Sequence, residues 1–176
     1  MPLLTIGPNL ESGAGPGPEI VQTFRVALRA KLLSIDDLTD IVDSHIYPST
    51  LPPTHDLDRD GPAVTYEAAK FPRGLLGHVG HVLSGSDGTV LARVELTVWG
   101  YTFSVVDAAA LVLFHELDGI RNASDWGNGS IRIVTCLYSN ELDDPEPAAG
   151  GRQQLIYRLT SEFWIKYRPN PLPIHS

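Results

Sequence analysis

The histidines are the first side chains to consider for metal chemistry, and His78 and His81 are the closest pair. On a helix, a spacing of three residues would place both rings on one face. The segment 75–83 is instead predicted to be a strand, which sends them to opposite faces, and no acid or cysteine completes a ligand set. His115 lies near the end of a predicted helix, where it suits the helix dipole. The other histidines lie in predicted loops: His45, His55 and His175.

Residues for covalent catalysis or phosphate binding are not arranged as those reactions require. Ser84 and Ser86 lie in a predicted hairpin turn rather than between a strand and a helix. Cys136 lies in a predicted strand beside bulky neighbours, which is typical of a core or sheet residue. The glycines of residues 13–17 precede a helix, but no strand precedes them and a proline interrupts them. We therefore expect no catalytic residue, no cofactor and no enzymatic activity.

Two acidic segments remain as candidates. The first has the spacing of an EF-hand calcium loop, with ligand-type residues at these positions: Asp56, Asp58, Asp60, Gly61 and Glu67. Against calcium, Pro62 directly follows the glycine and no predicted helix flanks the segment. Calcium binding therefore stays an open alternative beside a solvated loop.

The second acidic segment runs from Asn140 to Arg152 and is rich in proline and glycine. It is predicted to be a loop. Its acidic residues are Glu141, Asp143, Asp144 and Glu146. We consider two interpretations of this segment: a solvated loop and an interaction surface.

The charge of the chain limits the classes of partner. The 176 residues carry a formal net charge of −8, which argues against a protein that binds nucleic acid by neutralising phosphates, and against binding to anionic membranes. An acidic wall past which DNA slides without binding is still compatible with this charge. No run of residues approaches the length of a membrane span, the N-terminus lacks the pattern of a signal peptide, and a single cysteine fits a reducing compartment.

The stretch from Val90 to Leu117 is the part around which we expect the other elements to be organised. Its first ten residues alternate between two sets, which predicts a strand with one buried face. Ser104 and Asp107 have the spacing of a capping box, so a helix is expected from Val105 onward. This helix is apolar nearly all round, which predicts burial on most sides. Gly119 suits the positive φ that often ends a helix.

The remaining elements complete a two-layer domain. Periodicity predicts a helix from Pro18 to about Leu33, a short helix over 35–42 and an extended loop over 45–62. Further strands are predicted at 63–68, 75–83, 131–138 and 154–168. This order predicts an α+β fold with a mostly antiparallel sheet and two main helices packed on one face. We divide the chain into a flexible arm (1–17), a single domain (18–170) and a C-terminal tail (171–176).

Several short patterns follow one another between Val21 and Pro169. They are a helix pair that leads into His45-Ile46-Tyr47-Pro48, then Pro62 to Tyr66, Val94 to Trp99, Ala108 to Gly119 and Phe163 to Pro169. In their order and spacing they resemble the tail completion, or tail terminator, proteins of long-tailed bacteriophages and related prophages. Each pattern alone is a common core pattern, and the combination carries the resemblance.

The resemblance implies a structural virion protein that forms a ring, usually of six copies, on the head-proximal end of the tail tube. Such a ring stops polymerisation of the tube and joins the tail to the head connector. The expected partners are further copies of the chain, the tail tube protein and a head-completion or stopper protein. Genomic DNA would pass through the channel without specific binding. The protein would be assembled in the host cytoplasm and located in the tail or neck of the virion.

We expect the subunit or channel contacts in the loop over residues 45–62 and in the acidic segment over residues 140–152. The candidate residues are His45, Tyr47, Asp56, Asp58, Asp60, Glu141, Asp143, Asp144, Glu146 and Arg152. Another neck or head–tail joining component is the alternative function, and a small hydrolase or an unrelated binding module are further alternatives.

Overall fold

The computed structural model describes residues 18–68, 89–122, 126–127, 131–143, 146–147 and 155–169. Within these ranges the helices are α1 (Pro18–Leu33), α2 (Asp36–Val42) and α3 (Phe103–Leu117). The strands are β1 (Ile46–Pro48), β2 (Ala63–Ala68), β3 (Val90–Gly100), β4 (Ile131–Asp143), β5 (Glu146–Pro147) and β6 (Leu155–Pro169). No helix in the described part is long and apolar enough to cross a membrane.

Five strands form the sheet in the order β1–β2–β3–β6–β4, and β5 pairs with β6. All neighbouring pairs are antiparallel except β1 and β2, which confirms the mostly antiparallel sheet. Parallel strands need a long crossover, and residues 49–62 provide it between β1 and β2. β3 and β4 both run antiparallel to β6, so they run parallel to each other and α3 connects them.

One face of the sheet carries the core, and the helices lie on that face. Alternate residues of β3 and β6 are buried there: Ala92, Val94, Leu96, Val98, Leu159, Ser161, Phe163, Ile165 and Tyr167. α1 packs on this face through Phe24, whose ring stacks on that of Tyr167 with centroids 4.5 Å apart. α3 buries a single helical stripe: Val106, Ala109, Ala110, Leu113 and Leu117. The predicted two-layer α+β fold is confirmed.

α3 differs from the prediction at its start and on its surface. The helix begins at Phe103 with Thr102 as N-cap, so the predicted capping box at Ser104 is wrong. The end of β3 lies close to the first turn of this helix, since a Cβ added at Gly100 would lie 3.0 Å from Val106 Cγ2. The expected burial on most sides is also wrong, since the helix buries one stripe and Leu111 outside it is 54% exposed. Gly119 does adopt the predicted positive φ, at +74°.

The predicted acidic loop after Tyr138 is strand in its described part. β4 continues to Asp143, and β5 continues the same register, because Asp143 pairs with Leu159 and Glu146 pairs with Ile156. The long alternating β6 offers a pairing partner at each of these positions, which overrides the low β-propensity of the acids. β3 ends opposite Tyr157. We call residues 139–143, 146–147 and 155–157 the ribbon.

Some predicted features lie outside the described residues. They are the arm (1–17), the strand at 75–83 with His78 and His81, Asp144, Arg152 and the tail (171–176). What was predicted for these residues stays a prediction, as does the division of the chain into arm, domain and tail.

Candidate interaction surfaces

The crossover between β1 and β2, residues 49–62, is held in place by His55. We call this segment the acidic loop. The side chain of His55 is only 1% exposed. Its Nε2 lies 3.0 Å from the carbonyl oxygen of Gly61, and its Nδ1 lies 3.2 Å from the Tyr47 hydroxyl. Because a carbonyl only accepts, we assign the proton to Nε2, and Tyr47 then donates to Nδ1.

His45 completes this cluster of rings. Its ring meets that of His55 edge-on, with centroids 4.8 Å apart, and lies nearly parallel to that of Tyr47 at 6.3 Å. Its Nδ1 is buried and has no hydrogen-bond partner among the described residues. The sequence placed His45 and Tyr47 among contact candidates; the structure places both, part-buried, beneath the acidic loop.

The carboxylates of the acidic loop bind groups of the loop itself. Asp60 accepts two hydrogen bonds from the Arg59 guanidinium, at 2.7 and 2.8 Å, and one from the Asp56 amide at 2.9 Å. These bonds, those of Arg59 foremost, hold the pKa of the Asp60 carboxyl well below its usual range. Asp56 in turn accepts from the amide of Asp58 at 3.0 Å. The acids predicted to be calcium ligands or contact residues therefore form hydrogen bonds that stabilise the turns of the loop.

The calcium-loop spacing does not produce a calcium-loop geometry. Glu67 lies on β2, directly opposite Glu95 of β3, on the sheet face away from the helices. It is exposed there and does not turn back toward the acidic loop. Across the described part of the chain, no group of three or more His, Cys, Asp or Glu residues is arranged to hold a metal ion.

The acids of the ribbon are arranged differently. Glu141 and Asp143 pair in register with Ser161 and Leu159, whose side chains are buried on the helix side. Directly paired residues point to the same face, so both carboxylates lie on the helix side of the ribbon. Desolvation, followed by the negative charges of Asp107 on α3 and of Asp143, raises the pKa of Glu141. Neither ribbon carboxylate forms an ion pair with a described residue.

The outer edge of β4 is covered along only part of its length. Residues 118–122 and Trp126 lie beside it, with backbone hydrogen bonds at Gly119, Ile120, Asn122 and Trp126. The Asp118 carboxylate accepts a hydrogen bond from the Tyr138 amide at 2.8 Å. Beyond Tyr138 the described residues place no further chain against this edge. Residues 139–143 are all exposed there. Nothing in the sequence of this segment predicted its role in covering the edge.

The sheet face away from the helices carries a set of paired polar groups. Arg93 forms ion pairs with Glu162 and Glu95, and the Thr97 and Thr160 hydroxyls lie 2.9 Å apart. Trp99 donates its Nε1 proton to the Thr65 hydroxyl at 3.0 Å, and the Arg158 guanidinium lies 5.4 Å from its ring centroid. These groups satisfy one another across neighbouring strands and stabilise the sheet.

Cys136 has the environment of a core residue. It is fully buried in β4, and burial raises the pKa of its thiol to about 12. A thiol with this pKa is protonated at neutral pH, so it is a poor nucleophile.

Comparison with known proteins gives a similarity of fold. No known protein-family profile and no curated protein matches the sequence. A solved structure, described as the virion of a native gene transfer agent (GTA) particle, contains a chain with a similar fold. The two chains superimpose with a TM-score of 0.57 and are 14% identical, and the match covers 86% of this chain and 98% of that one.

Proposed function

We propose that this chain is a structural protein of a virion, and specifically a tail terminator. In this role it forms a ring, usually of six copies, on the head-proximal end of the tail tube. The ring stops growth of the tube and joins the tail to the head connector through a head-completion or stopper protein. Genomic DNA passes through the ring without specific binding.

The observation that carries the proposal is the shared fold with a chain of a gene transfer agent virion, which extends over 98% of that chain. Two features of this chain agree with it. The order of short patterns from Val21 to Pro169 resembles tail terminators, and the charge of −8 suits a channel that must not retain DNA. The polar groups on the sheet face away from the helices pair with one another across neighbouring strands, as in a structural scaffold.

The test is electron microscopy of particles assembled in cells whose copy of this gene is deleted. We expect overlong or ragged tails and separate heads filled with DNA, and complementation with the intact gene should restore joined particles of normal tail length. Normal joined particles in the deletion would overturn the proposal. Tails of normal length beside unjoined heads would assign the chain to the alternative, another neck component.

A further inference from the structure

The ribbon and the start of α3 form a surface that combines apolar and acidic groups. Its apolar part is exposed, with Phe103 at 45% and Leu155 at 47%. The Phe103 ring meets that of Tyr157 edge-on, with centroids 5.8 Å apart. The acidic part consists of Asp107, Glu141 and Asp143, whose mutual repulsion contributes to the raised pKa of Glu141. We call these six residues the ribbon patch.

α1 also presents a surface that combines apolar and charged groups, but its charges are positive. Val26 is 60% exposed, and Ala30, one turn further on, is exposed beside it. Arg25 and Arg29 form a second i, i+4 pair along the same helix, and no described carboxylate forms an ion pair with either guanidinium. Arg29 uses its Nε to donate to the Ile46 carbonyl at 3.2 Å, which leaves its terminal nitrogens available. We call these four residues the helix patch.

The two patches lie toward opposite edges of the sheet. Arg29 of the helix patch donates to the carbonyl oxygen of Ile46 on β1, whereas Glu141 and Asp143 of the ribbon patch lie on β4. β1 and β4 are the two outer strands of the order β1–β2–β3–β6–β4, so about 19 Å of sheet separates them. The arginines and the carboxylates of one molecule are therefore too far apart to pair with each other.

We propose that the helix patch of one copy binds the ribbon patch of the next copy. Val26 and Ala30 then cover Phe103 and Leu155, and the two arginines neutralise the three carboxylates, which relieves the repulsion at Glu141. A symmetric contact between two ribbon patches would oppose acid to acid, and one between two helix patches would oppose arginine to arginine. The charges thus favour a head-to-tail contact, the kind that closes into a ring.

This inference rests on the proposed function, because it assigns the contact that would build the ring. The test uses the full chain and two double variants with reversed charge. One is Glu141→Lys with Asp143→Lys in the ribbon patch, and the other is Arg25→Glu with Arg29→Glu in the helix patch. Asp37→Lys with Asp40→Lys, two exposed acids of α2, is the matched control for the first. Circular dichroism establishes that each variant is folded, and native mass spectrometry measures self-association.

We expect wild type and control to self-associate, and each double variant to do so on the order of 100-fold more weakly. An equimolar mixture of the two double variants should recover rings, because each mixed contact again joins opposite charges. These rings should contain equal numbers of both variants in alternation. A chain that carries all four substitutions should also recover self-association.

Two results would overturn the inference. One is wild-type-like association of folded double variants, which would place the contact elsewhere. The other is a wild-type chain that stays monomeric. In either case the deletion particles still decide the proposed function, since tail length is measured independently of this contact. Failure of both the mixture and the four-substitution chain to recover association would also count against the charge pairing.

Discussion

The acidic loop and the ribbon both carry several acidic residues, but their carboxylates have different surroundings. In the acidic loop, Asp60 accepts hydrogen bonds from Arg59 and from the Asp56 amide, and its pKa is lowered. In the ribbon, Glu141 lies beside two other acids, has no cationic partner among the described residues, and its pKa is raised. A lowered pKa marks a charge that the fold stabilises, and a raised pKa marks a charge that the fold alone disfavours.

This difference in pKa distinguishes two roles, stabilisation of the subunit and contact with a partner, that the amino-acid composition does not distinguish. The charges of the acidic loop contribute to the folding of a single subunit, where they close a turn over the ring cluster of His45, Tyr47 and His55. The charge of Glu141 in the ribbon costs the isolated subunit some stability, and a partner with positive charge would recover it. We therefore rank the ribbon above the acidic loop as a contact surface, and contacts of the acidic loop stay a prediction.

The largest effect in the isolated subunit is expected from His55→Ala. The substitution removes a buried ring, its hydrogen bond to the Gly61 carbonyl and the acceptor for the Tyr47 hydroxyl. We expect the free energy of unfolding to fall by about 2–4 kcal/mol. Urea unfolding followed by tryptophan fluorescence measures this change.

Two control substitutions test whether the effect of His55→Ala is specific to the acidic loop. His115→Ala, at an exposed position of α3, should change the free energy of unfolding by less than about 0.5 kcal/mol. Leu142→Ala in the ribbon, where the side chain is 61% exposed, should also have a small effect. If Leu142→Ala destabilised the subunit as much as His55→Ala does, the proposed division between a structural loop and an interacting ribbon would be wrong.

A smaller effect is expected from Tyr47→Phe. The substitution keeps the ring but removes the hydroxyl that donates to His55 Nδ1 at 3.2 Å, so a part-buried acceptor loses its partner. We expect the same unfolding measurement to show a loss of about 0.5–1.5 kcal/mol. Tyr101→Phe is the matched control, since Tyr101 is similarly half-buried and its hydroxyl forms no hydrogen bond with a described residue. Equal losses in the two variants would show that the Tyr47–His55 bond contributes nothing of its own.

The sequence predicted the helices and strands well where one pattern dominates. α1, β2 and β6 have nearly the predicted bounds, because apolar periodicity and long alternation leave few other conformations. The errors lie where a partner element decides the conformation. Asn140 to Asp143 have poor β-propensity and become strand only because β6 lies alongside. The parallel pairing of β1 likewise depends on the crossover and not on any local signal.

The candidate surfaces were predictable in part. The sequence identified both acidic segments, but it could not show that Asp60 pairs with its neighbour Arg59 or that Asp107 lies close to Glu141. The second relation joins residues far apart in the chain, so only the fold reveals it. Val26 was also missed, because helical spacing identifies the buried face of α1 and gives no signal for a single apolar residue outside it; the structure leaves Val26 60% exposed.

The smallest effect, and the one with the unusual sign, is expected from Glu141→Gln. Desolvation, followed by the charges of Asp107 and Asp143, raises the pKa of Glu141, so the folded state holds the carboxyl proton more tightly than the unfolded state does. The contribution of Glu141 to stability therefore falls as pH rises from about 4. Removing the charge should therefore stabilise the isolated subunit at pH 7, by roughly a few tenths of a kcal/mol because solvent screens an exposed group, and have no effect at pH 3. Thermal unfolding at both pH values measures this, with Glu116→Gln as the control, since Glu116 pairs with Lys31 at 3.5 Å and its loss should not stabilise. A gain in stability of equal size at pH 3 would show that the change of side chain, and not the loss of charge, is responsible. A gain in stability confined to pH 7, together with weaker self-association, would mean that the charge of Glu141 destabilises the isolated subunit and stabilises the contact between subunits.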